Sequence, residues 1–223
     1  MDITKSENNH QRARESELQI LHAIAQIGWL SATQIGAWVW GEVNKHSARV
    51  SADKCIKRLL EQKLIKTRTC SLRMQVFILT TKGACEANDY VRRALGLRGD
   101  ITLFRNGYNL SQLDCGRQRY AVEYLTKQHR LGFTVFGAAG IRGAIQAELL
   151  SANFRNADGY VSEAITNDAY AVLVVRNTHP QLVEKAMRLQ RQTGKIILLG
   201  STALQNFFFK ELKYETRYVN YLR

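Results

Sequence analysis

The alternation of apolar and polar positions is silent over residues 1–14 and turns helical at Glu15. Leu18, Ile20, Leu21, Ile24, Ala25 and Ile27 then recur at three- and four-residue intervals, and Gly28 stands where a helix C-terminus favours glycine. The pattern predicts a disordered N-terminus over 1–14 and a first helix from Glu15. Ser31 sits at an N-cap position ahead of ATQIGAWVW, where Ile35, Trp38 and Val39 make a second, short apolar face that ends near Gly41. After the polar segment EVNKHS, the stretch ARVSADKCIKRLLEQKLI turns Ala48, Ala52, Cys55 or Ile56, Leu59 and Leu60 to one side, which predicts a third helix. Short strands over 64–67 and 75–79 flank a polar turn between Cys70 and Arg73. Three helices followed by a two-stranded ribbon predict an N-terminal winged helix-turn-helix over residues 15–98. Its last element is a helix in CEANDYVRRALGL, entered through Thr80, Thr81, Lys82 and Gly83, which either links domains or pairs with a second copy.

Residues 99–223 read differently. A linker with an Asn106-Gly107 turn signal precedes a helix over 111–129, whose apolar side is Leu113, Tyr120, Ala121, Tyr124 and Leu125. A strand is predicted over 133–136. The glycines of GAAGIRGA fit turn formation or close packing. DGYVSEAITNDAYAVLVV reads as two strands joined at Thr166-Asn167-Asp168, followed by a helix over 182–192 and a buried strand over 195–199. The class is therefore α+β, with the winged helix followed by an α/β domain with a mixed sheet. The tail NFFFKELKYETRYVNYLR is aromatic and basic, suited either to packing on its own domain or to stacking on bases.

Composition narrows the function. A chain with 45% hydrophobic and 23% charged residues folds. The absence of a run of about 18 apolar residues and the polar opening MDITKSENNHQRARESE give the expectation of a cytoplasmic protein with no membrane partner. Four cysteines, none in a C-x-x-C pair or beside a histidine at zinc spacing, read as reduced thiols. The formal charge of +13 calls for a polyanionic partner. Residues 1–98 hold 16 basic and 9 acidic side chains and residues 99–223 hold 16 and 10, so neither half is a mere basic tail. No phosphate-cradling G-x-x-x-x-G-K-[ST] loop, G-x-S-x-G elbow or H-E-x-x-H helix is present, and no nucleotide is assigned.

A helix that enters the major groove reads base edges from its N-terminal residues. In the third helix these are Lys45, His46, Ser47, Arg49 and Ser51, with Lys54, Lys57 and Arg58 further along. Arg49 is the candidate for bidentate guanine contact, and Lys54, Lys57 and Arg58 suit phosphates. Lys66, Arg68 and Arg73 on or beside the ribbon turn suit an adjacent minor groove or backbone. Double-stranded DNA is the expected partner, bound as a homodimer on two half-sites. The competing readings of the same residues are a solvated basic face and a protein-interaction module.

A winged helix closing on T-T-K-G, a long helix and an R-x-x-D step before a hairpin resembles the replication-relaxation family of mobile elements, which includes the MobC-type relaxases of mobilisable plasmids. The segments carrying it are LIKTRTCSLRMQVFILTTKG, NLSQLDCGRQRYAVEYL and FRNADGYVSEAITNDAYAVLVVRNTHPQLVEKAMRL. The resemblance implies a restriction-endonuclease-like second domain, in which an acid before the hairpin and others on the next strand hold Mg or Mn to activate water. Asp158 stands at the first position and Glu163 is the second candidate. On the following strand, however, an acid is replaced by Val174, Val175, Arg176 and Asn177. Glu123, Glu148 and Asp168 are further carboxylates, and Tyr120, Tyr124 and Tyr160 are possible nucleophiles better read as core. The expectation is a degenerate nuclease-like domain without cofactor, retained for binding DNA or protein. The chain is then an accessory factor in conjugative mobilisation, or a regulator of transcription or replication, working beside other mobilisation or replication proteins. The alternatives are a metal-dependent nicking relaxase using Asp158 and Glu163, and a protein-interaction adaptor.

Overall fold

The structure, a computed structural model, describes residues 3–41, 44–69, 73–94, 112–146, 148–162, 168–212 and 216–220. The chain divides into two compact units, Met1–Leu110 and Ser111–Arg223, twelve residues beyond the boundary expected at 98/99. Among the described residues no helix is long and apolar enough to cross a membrane.

The first unit runs α1 (Ile3–Ile27), α2 (Ala32–Val39), α3 (Lys45–Glu61), β1 (Ile65–Thr69), β2 (Gln75–Leu79) and α4 (Thr81–Ala94). The disorder expected over 1–14 is corrected, because α1 is helical from Ile3. Its C-terminal half is anchored by fully buried Ile20, Leu21, Ile24 and Ile27, and extending a nucleated helix costs far less than starting one. Arg14 further ties it to Glu86 on α4 at 2.7 Å. At Gly28 the backbone turns left-handed (φ 106°), and Leu30 pairs with Phe77 of β2 through two hydrogen bonds of 3.2 and 2.8 Å. Ser31 then caps α2 with its hydroxyl on the Gln34 N–H, while the Gln34 side chain returns to the Ser31 N–H at 2.8 Å, a capping box.

Two glycines set how closely the elements of this unit approach. A Cβ on Gly36 would stand 3.1 Å from the Ala48 carbonyl oxygen, so α2 and α3 cross almost in backbone contact. One on Gly83 would lie 1.9 Å from the Leu64 carbonyl oxygen. Thr80 fastens the same corner, its hydroxyl donating to the chain at Lys63 (2.7 Å) and accepting from the Gly83 N–H (3.1 Å). The T-T-K-G segment is thus the clasp between the end of α3, the ribbon and α4.

The second unit runs α5 (Gln112–Arg130), β3 (Thr134–Gly137), α6 (Ala138–Gln146), a single 3-10 turn (Ala152–Phe154), β4 (Gly159–Ser162), β5 (Ala169–Val174), α7 (Pro180–Thr193), β6 (Ile196–Gly200), α8 (Thr202–Glu211) and β7 (Thr216–Asn220). Its five-stranded sheet has the order β3-β4-β5-β6-β7, antiparallel from β3 to β5 and parallel from β5 to β7, so the expected mixed sheet is present. β5 and β6 are buried along almost their whole length, as consecutive apolar residues demand. The segment GAAGIRGA forms α6, with Gly140 and Gly143 buried, which favours close packing over a turn. The aromatic tail forms α8 and β7. Phe208 is fully buried, Phe207 and Tyr218 pack on the same core, and the Tyr218 hydroxyl donates to the Ser201 carbonyl at 2.6 Å. Those three rings belong to the interior.

Candidate nucleic-acid interface

Asn44 opens α3 by accepting a hydrogen bond from the His46 N–H at 2.9 Å. Ala48, Ala52, Cys55, Ile56 and Leu59 then face the core, and the helical period turns His46, Ser47, Arg49, Lys54 and Lys57 to solvent. The structure therefore brings five of the eight α3 candidates onto one exposed surface. Ser51 is half-buried at its margin, and Lys45 supplies the first turn of backbone, its side chain lying outside the described residues.

Arg58 is half-buried at the margin of this surface. Its Nε donates to the buried Glu17 carboxylate of α1 at 2.5 Å and its Nη2 meets the Cys55 sulfur at 3.1 Å. The Glu17 hydrogen bond holds the guanidinium even more firmly protonated than usual, while burial pushes the Cys55 thiol up. Arg58 is thus the counter-ion of a buried acid.

Arg49 is exposed but already oriented. Its Nε donates to both Asp53 carboxylate oxygens at 3.0 Å, and its Nη1 donates to the Thr33 hydroxyl on α2 at 2.9 Å. Neither Asp53 nor Thr33 figured among the sequence candidates. Asp53 was detectable, since it lies four residues beyond Arg49 on one helix face, whereas Thr33 needs the α2 to α3 crossing to be known.

In the ribbon, Lys66 lies opposite Ile78 and Arg68 opposite Val76, so the two cations share one face of β1. Arg68 is exposed and Lys66 half-buried. Arg73 is exposed in a left-handed turn (φ 55°), and Cys70 lies outside the described residues. β2 is paired on both sides, by β1 and by the Leu30 bridge, and β1 is the edge that carries the cations.

In the second unit Asp158 lies immediately before β4 and is 4% exposed. Its Oδ2 accepts from the Val174 N–H at 2.9 Å, and its Oδ1 lies 3.5 Å from the Lys185 ammonium of α7. β4 pairs with β5 only as far as Val172, so the carboxylate takes over as acceptor for Val174 where the neighbouring strand has ended. Glu163 lies outside the described residues. Val174 and Val175 are buried, the Arg176 guanidinium stands 5.6 Å from the centre of the Tyr120 ring, and Asn177 accepts from the His179 N–H.

The other candidate carboxylates lie elsewhere. Glu123 pairs with Arg119 and Asp168 with Lys195, and Glu148 is exposed in a left-handed turn after α6. Tyr160 packs on Phe136 and Phe154. Tyr124 is buried, and burial pushes its phenol up, away from the ionised form a nucleophile needs. Among the described residues no three His, Cys, Asp or Glu side chains converge on a point a metal ion could occupy. A carboxylate already held by an ammonium and a backbone N–H, with an arginine two residues past the end of β5, does not fit a divalent cation.

No protein-family model, no curated protein and no solved structure matches this chain.

Proposed function

We propose that the chain is a sequence-specific double-stranded DNA-binding protein whose first unit is a winged helix-turn-helix, with α3 as the helix that enters the major groove and the β1–β2 ribbon as the wing. The observation that carries the proposal is the exposed α3 face of His46, Arg49, Lys54 and Lys57, opposite a continuous buried stripe and followed in the chain by a ribbon strand bearing Lys66 and Arg68. A helix presented this way offers donors to base edges and phosphates together. The Leu30 bridge to β2 supports the reading, since it joins the α1–α2 connection to the wing.

The second unit we read as a restriction-endonuclease-like domain that keeps the acid before the hairpin but not its chemistry. Asp158 is spent on Val174 and Lys185, which favours binding of DNA or protein over nicking. With the resemblance of the sequence to mobilisation proteins, the role we assign is accessory factor at a plasmid transfer origin, or regulator of transcription or replication, on DNA of a mobile element.

A strand-resolved footprint on DNA from the source replicon, with and without magnesium or manganese, tests both parts. Protection without breaks in either condition is expected. Absence of protection at low salt overturns the DNA-binding reading, and a metal-dependent break inside the protected region overturns the degenerate one.

A further inference from the structure

Val50 occupies the centre of the outward face of α3, opposite the stripe of Ala48, Ala52, Cys55 and Leu59, and is 39% exposed. A β-branched residue lowers helix propensity, and an exposed one recovers little by burial. Asp53 is an acid on the same surface, in the stretch where Arg49, Lys54 and Lys57 are basic. Its carboxylate holds the Arg49 Nε while Thr33 holds Nη1, which leaves Nη2 and the second Nη1 proton as the donors Arg49 can offer.

We infer that α3 reads a guanine and a neighbouring thymine, the guanine through Arg49 as positioned by Asp53 and the thymine through contact of its C5-methyl group with Val50. The inference rests on the DNA-binding reading above. An arginine clamped by a carboxylate has its rotamer set in advance, so its remaining N–H groups meet O6 and N7 of guanine with little ordering cost. The same carboxylate repels the phosphates to which a free arginine would drift. Beside this fixed head, the two methyls of Val50 complement the only methyl group the major groove presents. Asp53 is a positioning residue, and Val50 touches the base.

The test is selection of duplexes from a random pool by the intact chain, followed by substitution in the selected site of uracil for thymine, which removes only the methyl, and of 7-deazaguanine for guanine, which removes N7. The wild-type protein is expected to lose about fourfold in affinity on the uracil duplex. V50A should bind thymine and uracil duplexes equally, and V50T, which keeps one methyl, should retain part of the difference. On 7-deazaguanine the wild type should lose about fivefold or more. D53A should bind random duplex more tightly while its preference for the selected site shrinks, which a purely structural role for the ion pair would not produce. Specific binding that ignores both base modifications overturns the inference and leaves the DNA-binding reading standing, as does a V50A protein that retains the wild-type response to uracil. Failure to enrich any duplex overturns both.

Discussion

The Glu17 carboxylate is buried on α1, and its neighbours decide what Arg58 does. Arg58 donates to it directly and Arg14 lies 3.8 Å away, so removing Arg58 takes away the closer of two cations that meet a buried acid. Arg58→Ala is expected to lower unfolding free energy in urea by about 1–3 kcal/mol. Lys57→Ala, one residue away on the exposed face, should stay within about 0.5 kcal/mol of wild type. Duplex affinity should divide the pair the other way, with Lys57→Ala weaker and a folded Arg58→Ala near wild type at matched salt. Asp158 admits a similar dissection. Asp158→Ala strips the acceptor from a buried Val174 N–H and the counter-ion from Lys185, for an expected loss of about 1–3 kcal/mol. Asp158→Asn keeps an acceptor for Val174 and should lose less. An Asp158→Ala protein as stable as wild type would refute a structural role for the Asp158 bonds to Val174 and Lys185.

At the scale of elements, the glycines of α2 and α4 govern how the helices approach their neighbours. Gly83→Ala forces a Cβ into the Leu64 backbone at 1.9 Å, so α4 has to move off the ribbon. Gly36→Ala meets the Ala48 carbonyl at 3.1 Å, which a shift of a few tenths of an ångström relieves. Thermal denaturation should therefore show a loss of about 3 kcal/mol or more for Gly83→Ala and about 1 kcal/mol for Gly36→Ala. Equal losses would mean that the T-T-K-G corner is looser than its geometry. These contacts also explain which elements could be read from sequence. Helices α2 and α3, the two ribbon strands, β5, α7 and β6 announce themselves by period, because each buries one stripe or is buried throughout. The start of α1 did not, since its first turns carry no apolar period and exist by continuation of a helix anchored at Ile20 to Ile27. β7 was hidden too: Thr216 to Asn220 alternates weakly, and its pairing with β6 depends on a partner distant in sequence. The exposed cations of α3 follow from the helical period alone. Arg58 had a period position compatible with the surface, and only the packing of α1 against α3 gives its guanidinium Glu17 as a partner.

For the whole molecule, a formal charge of +13 favours any polyanion, so duplex binding by itself would say little about a placed interface. What separates a placed interface from diffuse attraction is which residues set the salt dependence and which set the preference among sequences. If α3 lies in the groove, Lys54 and Lys57 each displace condensed counter-ions from one phosphate, and the plot of log affinity against log salt should flatten by about 0.9 for Lys54→Ala and again for Lys57→Ala. The ratio of affinities for preferred and random duplex should hardly change, because a phosphate carries no sequence. Arg49→Ala should behave in the opposite way, losing about 1–3 kcal/mol on the preferred site and far less on random duplex. A general electrostatic attraction would instead spread small, equal slope changes over any exposed lysine or arginine, including Arg188 and Arg191 on the distant chain segment of α7. A protein-interaction adaptor would give weak duplex binding that none of these substitutions sorts into two classes. Fluorescence anisotropy over a salt series, on one preferred and one random duplex with these variants, distinguishes the three outcomes, because only a helix seated in the groove divides its cations into those that set the slope and one that sets the preference.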